Sequence, residues 1–362
     1  MPPGIPMPQE VERLRRSALW LPAIAVIIFG CGKEATPPQA APTNPDTKTV
    51  AADSQPAAAV TQSQLDAVQK ATKPYKMVLI VKTKNNPFFL PMIKAFEDTA
   101  RELGVAAEVQ AAAQESSYEQ QVALVQTEVS KGANAILITP ADSKALVPAL
   151  KKAADAGVLI IDLDNRLDPQ TVKAQNLTLG GYVGADNVMG GEKAGLALLE
   201  ALGGKGKVAI LEGIRGVDNA EARKKGFELA VGQRLKIVAS ETGEWETEKA
   251  YSKTLAILAA HPDLNGMFCA NDTMAIGAMK AISEKGRKGS IKVVGYDDIQ
   301  AVTDAINSGE LSATIEQHPE YMGKYGVRMA LGILDGSVPK GGEIFVALET
   351  IQRRSSVSPP TP

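Results

Sequence analysis

Five side chains with planar or bidentate hydrogen-bonding ends, Asp164, Arg223, Asn271, Asp297 and Gln317, fall at strand ends or first helical turns of this 362-residue chain. Large rings are scarce, with 7 Phe, 7 Tyr and 2 Trp, so the position of each is informative. Phe88 and Phe89 are adjacent in Lys82-Thr83-Lys84-Asn85-Asn86-Pro87-Phe88-Phe89, directly after an aliphatic run, which predicts a loop at a strand's carboxyl end. Trp245 stands in the polar stretch Glu241-Thr242-Gly243-Glu244-Trp245-Glu246-Thr247-Glu248, ahead of a helical pattern. An indole among four carboxylates reads better as a ligand platform than as core. Aromatic faces stack on the C–H faces of a sugar ring, while carboxylates, amides and guanidinium satisfy its hydroxyls around the edge. Taken singly, each polar residue has a structural reading: Asp272 beside Asn271 would cap a helix, and Arg223 beside Lys224 and Lys225 would sit on a solvated face. Their joint placement at strand ends carries the functional reading.

Motifs for catalysis are weak. Gly203-Gly204-Lys205-Gly206-Lys207 lacks phosphate-loop spacing and precedes a strand, so it reads as a turn. No Gly-x-Gly-x-x-Gly follows the first strand, and Gly-x-Ser-x-Gly is absent. The two His, His261 and His318, and two Cys, Cys31 and Cys269, leave little for a metal site or a disulfide framework. Cys269 lies within an apolar strand and reads as an inert buried thiol. Neither a metal nor a cofactor is expected. The charge balance, 39 Lys and Arg against 41 Asp and Glu, lacks the basic excess of a nucleic-acid binder.

The elements that must position these residues alternate regularly. Met77–Val81, Ala135–Thr139, Val158–Asp162, Val208–Leu211, Met267–Cys269 and Ile291–Gly295 are short apolar runs separated by amphipathic stretches. Met92, Phe96 and Leu103, then Val122, Val125 and Val129, fall on single helical faces, and Gly104, Gly132 and Gly157 stop helices. Continuous apolar strands between helices predict parallel sheets covered on both faces. An internal echo supports two halves: Ala135–Thr139, Asp142-Ser143 and a strand ending at Asp164 parallel Gly266–Ala270, Asp272-Thr273 and a strand ending at Asp297. The expected fold is α/β, two doubly wound parallel-sheet lobes facing a cleft, with ligand at the strands' carboxyl ends.

At the N-terminus, Arg13, Arg15 and Arg16 precede an apolar run from Ala18 to Phe29 and then Cys31, the pattern of an export signal over residues 1–31. Its ending resembles a bacterial lipoprotein signal, which makes Cys31 the lipidation site and a membrane anchor. Residues 32–74, rich in Ala, Pro, Thr and Gln, read as a disordered tether, and 354–362 as a disordered tail.

Seven motifs in order, Asn85-Asn86-Pro87-Phe88-Phe89, Leu163-Asp164, Gly184–Asn187 with Gly190-Gly191, Glu221–Arg223, Cys269–Ala275, Val294–Asp297 and Ala313–Gln317, resemble the ribose and allose group of periplasmic sugar-binding proteins. The resemblance spans Lys76 to about Ile351. It implies a type I periplasmic-binding-protein fold with three hinge crossings, near Ala185, near His318 and between Phe345 and Glu349. The lobes are then 75–185 plus 318–346 and 186–317 plus 347–353. It implies stacking by Phe88 and Phe89 on one side of a monosaccharide and Trp245 on the other. Hydroxyl-binding roles pass to Asn86, Asp164, Arg223, Asn271, Asp297 and Gln317. Ribose binders carry Arg directly after the strand-end Asp, where this chain has Asn165, and Lys82 matches a sugar-contacting lysine of the allose-binding relatives. An allose-like hexose is therefore favoured over ribose or a related polyol. The implied protein is a monomeric, non-catalytic receptor of an ABC-type importer, exported and lipid-anchored, which closes on sugar and delivers it to a membrane permease. Two alternatives stand beside it: the effector domain of a sugar-responsive transcriptional regulator, which shares the two-lobed fold, and an exported α/β sugar-active enzyme.

Overall fold

A computed structural model describes residues Val60–Arg353. The expected signal with Cys31, the expected tether up to residue 59 and the expected tail at 354–362 lie outside the described residues.

Two six-stranded sheets form the framework. The first contains β1 (Lys76–Val81), β2 (Ala106–Ala111), β3 (Ala135–Ile138), β4 (Leu159–Leu163), β5 (Gly181–Ala185) and β11 (Gly342–Val346), and the second β6 (Gly206–Glu212), β7 (Leu235–Thr242), β8 (Gly266–Cys269), β9 (Lys292–Val294), β10 (Ala313–Glu316) and β12 (Glu349–Gln352). Their orders, β11-β5-β4-β3-β1-β2 and β12-β10-β9-β8-β6-β7, are the same once five is added to each of β1–β5. The echo between the halves is thus a true equivalence, and all pairings are parallel except β10 with β12. The chain passes between sheets three times, after Ala185, between Glu316 and Pro319, and between Val346 and Glu349.

Alternation explains the continuous apolar strands. Met77, Leu79 and Val81 face one buried cluster while Val78 and Ile80 face another on the opposite side of the sheet. Helices cover both faces: α1 (Gln62–Asp66), α2 (Phe89–Leu103), α3 (Tyr118–Ser130), α4 (Val147–Asp155), α5 (Pro169–Ala174), α6 (Asn187–Ala201), α7 (Asp218–Val231), α8 (Thr247–Ala260), α9 (Asp272–Glu284), α10 (Thr303–Ser308) and α11 (Pro319–Leu334). Met92, Phe96, Ala100 and Leu103 bury the expected face of α2, which ends at left-handed Gly104. On α3 the expected valine face packs on the core, Val125 buried and Val122 and Val129 partly so, and Gln121 and Glu128 are buried beside it: Gln121 bonds Thr139 O and Ala141 N, and Glu128 meets Lys76 and Lys131. After β3, Asp142 Oδ1 accepts from Lys144 N and Ala145 N, so it caps a turn and α4 starts only at Val147.

Close helix crossings set the position of the functional side chains. A Cβ on Gly191 of α6 would lie 2.1 Å from Arg223 O, and one on Gly226 of α7 would lie 1.9 Å from Val188 O. The two glycines let the backbones touch, which draws α7 and its Arg223 against α6. Larger residues would hold the helices apart.

Residues 60–74, expected as the end of a disordered tether, are folded. Thr61 and Gln64 form a reciprocal capping box on α1, and Val60, Leu65 and Val68 are buried in the first lobe. Arg328 of α11 donates to the carbonyls of Leu65, Asp66 and Val68 and pairs with Glu102, satisfying the end of α1. Sparse apolar residues suffice because they share one face, and their partner lies far downstream in α11.

Candidate functional site

A small cavity lies between the sheets. All ten side chains singled out in the sequence, Lys82, Asn86, Phe88, Phe89, Asp164, Arg223, Trp245, Asn271, Asp297 and Gln317, line it. Glu115 and Asn219 line it too and were missed. Glu115 follows β2 at the same end of the sheet, and Asn219 lies one helical turn before Arg223, so strand-end and i,i+4 positions were the available signals.

From the first lobe, β1 delivers Lys82, whose amide donates to Thr139 Oγ1 at 3.1 Å. Asn86 is held at both ends of its amide: Oδ1 accepts from Phe88 N at 3.1 Å and Nδ2 donates to Glu115 Oε1 at 2.7 Å. Phe88 and Phe89 are not in a loop as expected: Phe88 has helical dihedrals and Phe89 opens α2. Their rings meet edge to face, with centroids 5.1 Å apart and planes at 70°. Both are buried yet both reach the cavity, because an edge-to-face pair lets adjacent rings diverge and still pack. Asp164 follows β4 with φ +61°, and Tyr182 OH donates to its carbonyl at 2.9 Å. Burial pushes the carboxyls of Asp164 and Glu115 above the usual range, and the nearby Lys82 ammonium opposes both shifts.

The second lobe supplies a connected network. Arg223, expected on a solvated face if structural, is 2% exposed. Its Nε donates to Asn187 Oδ1 at 2.8 Å, Nη1 to Ala270 O at 2.8 Å and Nη2 to Gln317 Oε1 at 3.3 Å. Gln317 Nε2 then donates to Asp297 Oδ1 at 2.7 Å, and Arg223 Nη1 stands 3.5 Å from the same oxygen. Burial raises the Asp297 carboxyl strongly, with Arg223 opposing. The guanidinium also lies 3.7 Å from the centre of the Tyr296 ring. Three hydrogen bonds thus orient the Arg223 guanidinium before any ligand arrives, with N–H donors to spare for a ligand.

Asn271, not Asp272, caps α9: its Oδ1 accepts from Met274 N at 3.0 Å and its Nδ2 donates to Thr273 Oγ1 at 2.7 Å. Asp272 is instead fully buried, accepting from Tyr296 N, Ile299 N and Thr314 Oγ1, so it ties β9 and β10 together behind the site. Trp245, held at φ +66°, sits against Gly213, where a Cβ would approach the indole Cζ2 to 2.0 Å. Thr273 Oγ1 donates to its carbonyl at 2.7 Å.

Three of the lining side chains hold a buried polar atom with no protein partner: Asp164 Oδ1, Asn219 Oδ1 and Trp245 Nε1. Such atoms are costly unless something bonds them. Two acceptors and one donor, flanked by three rings, are groups that the hydroxyls and C–H faces of a polyhydroxylated ring could satisfy. Among the described residues no group of His, Cys, Asp or Glu is arranged to hold a metal, and no helix is long and apolar enough to cross a membrane. Cys269 is fully buried, and burial pushes its thiol up, away from the thiolate.

Comparison with known proteins agrees with this geometry. The periplasmic binding protein domain family matches residues 77–337. The D-ribose/D-allose-binding protein of Pseudomonas aeruginosa is 37% identical over 79% of this chain and 92% of its own length. The D-allose-binding periplasmic protein of Escherichia coli is 32% identical over 69% of this chain and 82% of its own length. A crystal structure of an ABC transporter periplasmic solute binding protein from Actinobacillus succinogenes with bound D-allose superposes with a TM-score of 0.73 and 41% identity, covering 78% of this chain and 98% of the other.

Proposed function

The chain belongs to the periplasmic binding protein domain family, and from that premise we propose that it is the sugar-capturing subunit of an ABC-type importer. Its ligand is a monosaccharide, an allose-like hexose in preference to ribose. The observation that carries this reading is the set of three unpartnered polar atoms on Asp164, Asn219 and Trp245, in one cavity with Phe88, Phe89 and an Arg223 oriented by three hydrogen bonds. Hydroxyls of one sugar ring would bond the orphaned atoms while the ring faces pack on Trp245 and the two phenylalanines. The preference for a hexose is supported by Asn165, which stands where ribose binders carry Arg and whose amide donates to Pro140 O, outside the set of side chains lining the cavity.

The mechanism is capture by closure. The three crossings after Ala185, between Glu316 and Pro319, and between Val346 and Glu349 act as the hinge, and the closed form is what a permease recognises. The N-terminal segment directs export, Cys31 carries a lipid anchor that holds the receptor at the outer face of the cell membrane, and the receptor works as a monomer. Calorimetric titration with D-allose, D-ribose and other monosaccharides tests the function directly. Trp245→Ala and Arg223→Ala each abolish tight binding while leaving the circular dichroism spectrum unchanged; retained affinity in both would sink this site. Radiolabelled palmitate incorporated by wild type but not by Cys31→Ala tests the anchor.

A further inference from the structure

Helix α7 begins without a cap of its own: its N-cap residue, Val217, has no side chain to accept from the first turn. The exposed first amides of a helix need acceptors. Here they find them across the cleft. Asp218 N donates to Ser143 Oγ at 3.1 Å and Asn219 N donates to Asn165 Oδ1 at 3.2 Å. Ser143 follows β3 and Asn165 follows β4, both in the first lobe, while α7 belongs to the second. Asn165 is itself braced, because its Nδ2 donates to Pro140 O at 2.8 Å. Ser143 and Asn165 are buried; the Asn219–Asn165 bond is shielded from competing water and the Asp218–Ser143 bond partly so.

Asn219 has two faces. Its backbone amide is held by Asn165, while its own side-chain Oδ1 is buried and unpartnered in the ligand cavity. We propose that the first turn of α7 is a closure sensor: Ser143 and Asn165 cap it in trans only when the lobes are shut, and that cap aims Asn219 at a ligand hydroxyl. Ser143 and Asn165 are positioning residues, and Asn219 contacts the ligand. The proposal rests on the monosaccharide-receptor reading and adds how that receptor registers closure. When the lobes part, the amides of Asp218 and Asn219 return to water, and Asn219 loses its alignment. Ligand contact and lobe closure therefore stabilise one another through a single helical turn.

The full-length receptor, titrated with D-allose and D-ribose and followed by Trp245 fluorescence in stopped flow, tests this. Ser143→Ala should raise koff about five-fold with kon unchanged, since the cap forms after encounter, and Ser143→Thr should restore the wild-type rate. Asn165→Ala should weaken binding about ten-fold or more. Asn165→Ala combined with Asn219→Ala should lose no more than the worse single variant, because one acts through the other. Melting of the sugar-free protein should change little for Ser143→Ala. The proposal is overturned if Ser143→Ala releases sugar at the wild-type rate, if the two asparagine variants are additive, or if the empty and loaded forms lose stability equally. A wild-type protein that binds no sugar overturns the receptor function itself, and this inference with it; a wild type that binds, matched by its variants, overturns the inference alone.

Discussion

Asp164 and Asp297 occupy the same station in the two sheets: Asp164 N donates to Val183 O of β5 at 3.0 Å, and Asp297 N donates to Ile315 O of β10 at 2.8 Å. Both have positive φ, +61° and +113°, so each carboxyl is swung out of its sheet toward the cavity at a conformational cost. They differ in what holds the carboxylate. Asp297 is bonded by Gln317 and faces Arg223, whereas Asp164 Oδ1 is unpartnered.

The two aspartates should therefore respond oppositely to glycine. Asp164→Gly removes backbone strain and an unpaired buried carboxyl, so the sugar-free protein should gain about 1 kcal/mol of stability while sugar affinity falls about 100-fold. Asp297→Gly strands Gln317 and leaves Arg223 without its counter-charge, so the sugar-free protein should lose about 2 kcal/mol. Denaturant melts paired with calorimetric titration check both; a loss of stability in Asp164→Gly contradicts the account.

Gly213 is the seat of the indole. An added methyl would lie 2.0 Å from Trp245 Cζ2, and the ring is 5% exposed with little room to yield. Gly213→Ala should displace the ring and weaken sugar binding about ten- to 100-fold, with a shifted Trp emission maximum and an unchanged fold. An unaltered emission spectrum with full affinity would rule out the stacking role proposed for Trp245.

Removing residues 1–75, so that the chain starts at Lys76, should destabilise the first lobe. Val60, Leu65 and Val68 leave the core, and Arg328 keeps only Glu102 as a partner. The expected loss is about 3–5 kcal/mol, read from chemical denaturation against a chain starting at Val60. Equal stability of the two chains would mean that α1 is ornamental.

Asp272 gives the stability a pH slope of known sign. Burial pushes its carboxyl up to about 8, partly opposed by the Thr314 hydroxyl. Between about pH 4 and 8 the folded protein therefore holds a proton that the unfolded chain has released. The stabilisation from that proton is full below about pH 4 and is lost as the pH rises through 8, at up to about 1.4 kcal/mol per pH unit. Asp272→Asn should flatten the dependence of unfolding free energy on pH across this window. A slope equal to wild type would show that Asp272 titrates normally.

Much of the architecture was legible in the chain itself. Apolar runs at regular intervals dictated parallel strands, glycines marked helix ends, and the repeated pairing of a strand with a terminal Asp announced two equivalent sheets. These signals are local, because periodicity and turn chemistry act over a few residues. The ten side chains proposed from sequence could be gathered because strand ends of a doubly wound sheet converge on one edge. Only the tertiary structure decided the rest. Glu115 matters through Asn86, Asn219 through Asn165, and α1 through Arg328, and each partner lies in a different element or lobe. Of the adjacent pair Asn271 and Asp272, Asn271 both lines the cavity and caps α9, while Asp272, expected as the cap, is turned to the buried turn before β10. The types of these residues were set by the chain, but their partners were set by how distant elements pack, within one lobe for Glu115, α1 and Asp272 and across the two for Asn219, and that geometry has no signature in neighbouring residues.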